Sequence, residues 1–542
     1  LATEYGANRI WVVNVGDLKP MEFPIQFFLD YAWNPAAIPA EKLRDYTVNW
    51  AKQQFGSEHS VAIADMVTTY LRYNSRRKPE LLEPETYSLT NFGEAESVVA
   101  DYNALLQRAT QLSLKLAPQY KDAYYQLVLH PIQASANVNE LYVTVGRNRQ
   151  YASQGRASTN DLADKARALF DRDAEISKFY NTELAGGKWS HMMDQTHIGY
   201  TYWQEPPRNV MPRVDVIQMP TPADMGVAVV EQNRATPPLG GRGGPPPGFV
   251  PGGARGPTLP PFDAYAQQTY HVDVYNKGKT PFTYAATADA PWLKVTPASG
   301  TITKESRLSV SVDWARVPDG KQQTALTITG PNNAKTVIQT TVINPSSPKR
   351  DEVIGFVQSN GYVSMEAEHF TRAVGGAIPG SRDSIWWQRI PDFGRTLSGV
   401  TAAPVTIPSV TPSAATPRLE YSVFLLDSGA VKVHTYLSPS LNFAGSKTGP
   451  RFGISLDDDA PQIVAMIPDT SNGAWDKVVG DNIRILKSQH TVKKPGAHTL
   501  KFWLVDPGIV LQKIVIETTN LPNSYLGPPE SFFRNGNKGQ NK

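Results

Sequence analysis

Residues 236–262 divide the sequence into two unlike halves. Pro237-Pro238, Gly240-Gly241, Gly243-Gly244, Pro245 to Gly248 and Pro260-Pro261 follow one another with few apolar side chains between them. Such a stretch cannot bury enough surface to offset the entropy of ordering it, so it reads as a linker or loop. The full linker region is bounded at 216–264. Before it the apolar residues recur at helical spacing; after it they alternate.

The helical half has its clearest pattern after Asn91. Asn91 followed by Glu94 has the spacing of a capping box. Val98, Tyr102, Leu105, Leu112 and Leu116 then form one stripe, and Leu162, Leu169 and Ile176 form another that Gly186-Gly187 ends. These patterns predict a helical bundle over 41–215. Beyond the linker, His271-Val272-Asp273-Val274 and Leu308-Ser309-Val310-Ser311-Val312 alternate as strands of a small sandwich over 265–347. A second β-rich region, 348–542, has strand patterns at Leu419 to Leu425, Val431 to Leu437, Thr499 to Val505 and Ile509 to Ile516.

The first forty residues differ from both halves. Arg9-Ile10-Trp11-Val12-Val13-Asn14-Val15 reads as a buried parallel strand, and Gly16-Asp17-Leu18-Lys19-Pro20 reads as the loop at its carboxyl end. A β/α barrel carries its chemistry at such strand ends. Residues 1–40 are therefore expected to be the terminal part of a barrel, and the chain to be a fragment of a longer one. The predicted class is multidomain α+β: the last strand of a β/α barrel, then a helical bundle, then two β-sandwich domains.

Composition removes several function classes. The 542 residues contain no cysteine, which excludes disulfides, thiol nucleophiles and cysteine-held zinc. A net charge of +3 gives no reason to expect nucleic acid as a partner. No apolar run reaches the length of about 18 residues that a membrane helix needs, so no membrane partner is expected. With 11 Trp and 23 Tyr, the chain has rings suited to covering sugar faces, although such rings also fill sandwich cores.

Four segments, in order, resemble glycoside hydrolase family 115, the xylan α-1,2-glucuronidases. They are Asn14 to Pro24, Phe28-Leu29-Asp30-Tyr31-Ala32-Trp33-Asn34-Pro35, Arg77-Lys78-Pro79-Glu80-Leu81-Leu82, and Trp189-Ser190-His191-Met192-Met193-Asp194-Gln195-Thr196-His197-Ile198-Gly199-Tyr200. The region from about 350 is similar to that family's carboxyl-terminal β-sandwich. Ala290-Pro291-Trp292-Leu293 and Pro297-Ala298-Ser299-Gly300 make 265–347 look like a BACON-type immunoglobulin-like module. The resemblance implies removal of glucuronic or 4-O-methylglucuronic acid from glucuronoxylan or its oligosaccharides, in a secreted or periplasmic bacterial protein. The alternative is a non-catalytic carbohydrate-binding or assembly module.

Glycosidases use two carboxyl groups about the scissile bond. The resemblance places them on earlier barrel strands, so no catalytic residue is assigned and the chain alone is expected to be inactive. Asn14 leaves the strand at the proper end, where an amide pairs with sugar hydroxyls or a uronate. Asp17, Lys19 and Glu22 follow as substrate-binding candidates, Lys19 as a cation for the uronate. The alternative for all four is loop ion pairing and strand-end capping.

No cofactor and no metal are expected. His191 and His197 lie on different helix faces at a separation of six. Trp189, Tyr200, Tyr202 and Trp203 read as packing between bundle and barrel, or as part of the pocket rim. Glu366-Ala367-Glu368-His369 is similar to the start of family 6 and 35 carbohydrate-binding modules, where carboxylates hold calcium. Gln512, however, stands where an acidic residue would be expected. Trp386-Trp387 reads as core or as a sugar platform, and Asp457-Asp458-Asp459 as a solvated turn. A homodimer is kept as an assembly in which the linker orders.

Overall fold

The computed structural model describes residues 1–201, 204–231, 256–377 and 384–535. Residues 232–255, about half of the expected linker, lie outside them, as do Tyr202 and Trp203. The helical half contains α1 (Glu22–Trp33), α2 (Leu43–Phe55), α3 (Ser60–Asn74), α4 (Glu94–Ser113), α5 (Pro118–Tyr124), α6 (His130–Gln154) and α7 (Thr159–Thr182). Val98, Tyr102 and Leu105 of α4 are buried, as their stripe predicts. Val98 and Tyr102 pack with Ala136, Leu141 and Val145 of α6 and the partly buried Leu169 of α7, whereas Leu105 packs with Ile63 and Met66 of α3 and Ile132 of α6. Gly186 and Gly187 take φ of 68° and 80° just beyond α7, a conformation that favours glycine and stops the helix.

The expected strand at Arg9–Val15 is not formed. That segment lies in no helix or sheet, and Ile10 and Val12 are 84% and 88% exposed. A strand exists only through backbone pairing to a neighbour, and none of the described residues lies beside this one. Within the run, the Trp11 ring packs at 5.9 Å from both Phe28 and Tyr31 of α1.

The first sandwich contains β1 (Met225–Val229), β2 (Phe262–Asp263), β3 (Tyr270–Asn276), β4 (Phe282–Ala288), β5 (Leu293–Thr296), β6 (Ser299–Ile302), β7 (Glu305–Val312), β8 (Gly320–Thr329) and β9 (Lys335–Asn344). One sheet runs β1-β3-β7-β5 and the other β2-β9-β8-β4-β6. Val272, Leu308 and Val310 from the first meet Tyr284, Leu326 and Ile338 from the second. The linker expected over 216–264 is thus corrected at both ends. Met225–Val229 pairs antiparallel with β3, and Phe262–Asp263 pairs parallel with β9. Both pieces are too short for periodicity to show. Only the partner strand makes them strands.

The second sandwich contains β10 (Gly355–Val357), β11 (Tyr362–Glu366), β12 (Arg372–Val374), β13 (Gly376–Ala377), β14 (Ser384–Pro391), β15 (Ser398–Ala403), β16 (Arg418–Leu425) and β17 (Gly429–Leu437). It continues with β18 (Arg451–Leu456), β19 (Gln462–Ala465), α8 (Asn472–Asp481), β20 (Arg484–Val492), β21 (Gly496–Leu504), β22 (Val510–Glu517) and β23 (Phe533–Arg534). Its sheets run β19-β18-β21-β16-β10-β23 and β13-β14-β15-β22-β17-β20, with β12 on β16 and β11 on β22. Leu419, Tyr421, Phe452 and Phe502 of one face Val363, Val400, Leu511 and Ile514 of the other.

Buried polar contacts join the bundle to both sandwiches. Arg156, between α6 and α7, reaches Asp273 of β3 at 2.9 Å. Glu94 forms no capping box with Asn91. Its carboxylate accepts instead from Ser88 N, Ser524 Oγ, Tyr525 N and Leu526 N at 2.6–3.0 Å. Asn91 donates to the Asn523 carbonyl at 2.9 Å. Among the described residues no helix is long and apolar enough to cross a membrane.

Candidate functional site

The loop before α1 brings two of the four predicted residues together. The Lys19 ammonium pairs with the Glu22 carboxylate, and both side chains are largely covered, at 17% and 30% exposure. The same ammonium sits 4.0 Å from the centre of the Trp189 ring, with Lys188 4.7 Å from that ring. Two cations therefore share one aromatic surface, a cation–π arrangement that also brings positive charge together. Asn14 and Asp17 do not join them. Asn14 Oδ1 accepts from Gly16 N at 3.0 Å, capping its own turn. Asp17 is exposed, and no hydrogen bond or ion pair to the described residues involves it.

The floor of the corner comes from a place that the sequence reading passed over. Between α5 and α6 the backbone makes a π-helical turn, Tyr125–Leu129. Such a turn inserts an extra residue and re-aims side chains. Here it points Gln126 Nε2 at Glu22 Oε1, to which it donates. The other Glu22 oxygen, the Tyr180 hydroxyl and His130 Nδ1 are all buried without a hydrogen-bond partner among the described residues. The His130 and Tyr180 rings lie 4.6 Å apart. Burial, then the charge of Glu22, pushes the Tyr180 phenol well above its ordinary value. Burial pulls His130 down to about 4, against the charge of Asp173, so its imidazole is neutral at pH 7. Nothing in the spacing of Gln126, His130 and Tyr180 marks them. The turn and the packing of α7 bring them together.

His197 Nε2 meets the buried Asp173 carboxylate at 2.9 Å, and Nδ1 faces the Gln195 carbonyl at 3.0 Å. Burial alone would lower His197, but the Asp173 hydrogen bond and charge outweigh it and hold the imidazole above its ordinary value. A raised folded value stabilises fully below the unfolded value, about 6.5, and that stabilisation is lost as pH rises through the folded value. We expect urea stability to fall more between about pH 6 and pH 8 in the wild type than in His197→Gln. Equal pH slopes would show that the pair contributes nothing.

His191 lies apart, 84% exposed in its side chain and 2.6 Å from Asp194. Among the described residues no group of three His, Asp or Glu side chains converges as a metal site. The two carboxylates of the Glu366-Ala367-Glu368 stretch are each neutralised by a side-chain cation. The buried Lys513 ammonium is 3.1 Å from Glu366, and Arg389 pairs with Glu368. Trp387 packs into the sandwich core and donates from Nε1 to the Val374 carbonyl at 3.1 Å, while Trp386 is 51% exposed.

Comparison with known proteins bears on this arrangement. The model of glycosyl hydrolase family 115 matches residues 1–81, the stretch that carries the Lys19–Glu22 loop. The model of that family's C-terminal domain matches residues 355–530, the second sandwich. Both ends of this chain thus match models of glycoside hydrolase family 115. Between those matches, a viral BACON domain model covers residues 262–342. Among solved structures, a family 115 4-O-methyl-α-glucuronidase with specificity for decorated arabinogalactans is similar at 17% identity and a TM-score of 0.56. The match covers 96% of this chain and 47% of that one, so this chain spans about half the length of its solved family 115 relative. A Podospora anserina β-(1,4)-mannanase with a family 35 carbohydrate-binding module matches 30% of this chain and 29% of its own, at 14% identity and a TM-score of 0.20. The family 6 module of a Zobellia galactanivorans laminarinase matches 29% of this chain and 98% of its own, at 16% identity and a TM-score of 0.20. No curated protein matches the sequence.

Proposed function

We propose that these residues form the carboxyl-terminal portion of a hydrolase that removes glucuronic or 4-O-methylglucuronic acid side chains from xylan. The observation that carries the proposal is the match to family 115 at both ends of the chain. The Lys19 corner adds a chemical reason: an ammonium held by a ring and a carboxylate can exchange part of that pairing for a uronate. In the same reading Arg9–Val15 would become a barrel strand only on pairing with a neighbouring strand. Its exposed Ile10 and Val12 are surface of the kind that a neighbouring element covers. A polymer substrate too large to cross a membrane accords with a secreted or periplasmic protein.

One observation favours the competing reading, a non-catalytic carbohydrate-binding or assembly unit, for these 542 residues by themselves. Glu22 is already paired with Lys19, and among the described residues no second carboxylate bonds within this corner. Purified 1–542 is therefore expected to bind glucuronoxylan in affinity electrophoresis and to release no uronic acid. Turnover would overturn the placement of the acid and base outside these residues.

In an active family 115 polypeptide containing this loop, Asn14→Ala is expected to lower kcat/KM about 10- to 150-fold. That is the loss of one hydrogen bond to a charged sugar, about 1.5–3 kcal/mol. The melting temperature should barely move, because Asn14 is exposed. Near-normal activity with a large fall in stability would make Asn14 a turn cap and nothing more.

A further inference from the structure

A cleft of about 450 Å³ opens where the two sandwiches meet, and it shares no wall with the Lys19 corner. Small-ligand sites commonly enclose about 300–1,000 Å³. Three cations line it: Lys349, Arg350 and Arg534. Lys349 is neutralised by Asp319 at 2.6 Å. Arg350 is not. Its Nε donates to the Tyr265 carbonyl at 2.8 Å, and its guanidinium lies 3.7 Å from the centre of the Phe532 ring. These two contacts hold the guanidinium plane in place and leave both terminal nitrogens without an acceptor among the described residues. Arg534 likewise has no carboxylate at ion-pair distance among the described residues; its Nη1 donates to the Val353 carbonyl at 3.5 Å.

Opposite charge at the cleft comes only from Asp351, which is exposed and makes no ion pair among the described residues. The cleft is thus net cationic, with two guanidinium groups open to an anion. A planar guanidinium presents paired N–H donors that match the two oxygens of a carboxylate. The Phe532 face is covered by Arg350, but the partly buried Trp314 ring also lines the cleft and offers an apolar surface.

We propose that this cleft binds a carboxylate-bearing sugar, a uronic-acid residue of an oligosaccharide. The carboxylate would pair with Arg350 and Arg534 and a ring face would rest on Trp314. The anion half of the assignment stands on the cleft alone; the sugar half rests on the proposed function. Such a site would hold the chain on the same acidic polymer whose side chains the enzyme removes, at a place separate from the chemistry.

Calorimetric titration of the 542-residue chain tests this with three probes. They are a xylo-oligosaccharide bearing one glucuronic acid, the neutral oligosaccharide of equal length, and inorganic phosphate. The acidic oligosaccharide should bind at least tenfold more tightly than the neutral one, and phosphate should not saturate. Arg534→Gln should weaken the acidic ligand at least tenfold with an unchanged melting temperature, and Trp314→Ala should do the same if it folds. Lys19→Met should leave a site of unchanged affinity. Absence of binding, or equal binding of the neutral sugar, overturns the inference, as does saturable phosphate binding. Binding lost in Lys19→Met but kept in Arg534→Gln would also overturn it, and would leave the proposed function in place.

Discussion

Replacing Arg156 by alanine is expected to cost about 3–5 kcal/mol of stability, the range for removing one partner of a buried ion pair. The guanidinium is 3% exposed and bonds Asp273 at 2.9 Å and Glu305 at 3.1 Å. It lies between the rings of Tyr151 and Tyr275, at 3.9 and 4.3 Å. Without it Asp273 keeps Arg307 at 2.8 Å but loses the partner that comes from the helical bundle. Burial alone would raise the Asp273 carboxyl. The hydrogen bond from Arg307 and the charges of Arg156 and Arg307 outweigh it and hold the group below its ordinary value. A depressed carboxyl stabilises above its unfolded value, about 3.9, and that stabilisation is lost as pH falls through the folded value. The contribution should therefore be full at pH 7 and fade only in strong acid. Urea unfolding at pH 7 measures the effect, and a loss under about 1 kcal/mol would refute it. Pairing Arg156→Met with Asp273→Leu should recover part of the loss, because Asp273 is then no longer left short of a cation, while Arg307 gives up Asp273 and keeps Glu96 at 3.5 Å.

Glu94→Ala should be nearly as damaging, at roughly 3–4 kcal/mol. The carboxylate is buried and collects four donors, three of them backbone N–H groups. Each donor left unsatisfied costs about 1–3 kcal/mol, and neighbouring losses do not add in full. Only one of the donors, Ser88, belongs to the bundle. The other three lie at 524–526 in the strap after β22, so the variant should release that strap. Amide hydrogen exchange at Tyr525 and Leu526 should quicken well before global unfolding. Unchanged protection there, with stability within about 0.5 kcal/mol of wild type, would mean that the strap is held by packing of Tyr525 alone. That ring packs on Tyr87 at 5.6 Å and under the Arg395 guanidinium at 3.7 Å.

Both predictions concern contacts that sequence reasoning misjudged or did not see, and the cause is the same. Asn91 and Glu94 have capping-box spacing, but Glu94 has partners some 430 positions away that satisfy it better. Asp273 reads as the polar position of an alternating strand, yet it is buried because the bundle supplies Arg156. Lys19 and Glu22 were legible as candidates in one loop, though not as partners of each other. Gln126, His130 and Tyr180 were not, because a π-turn and helix packing assemble them.

What the sequence by itself determined is what depends on near neighbours. The helical stripe Val98-Tyr102-Leu105, the alternation Leu308-Val310-Val312, the glycine stop after α7 and the order of the family segments all follow from local periodicity and local φ preference. The tertiary structure decided everything that needs a distant partner. It made strands of Met225–Val229 and Phe262–Asp263, and it left Arg9–Val15 without a partner strand. It neutralised Glu366 with Lys513, and it opened a cationic cleft between two sandwiches. Backbone pairing and buried charge are decided by which group arrives opposite, and residues separated by a hundred positions carry no local signal of that meeting.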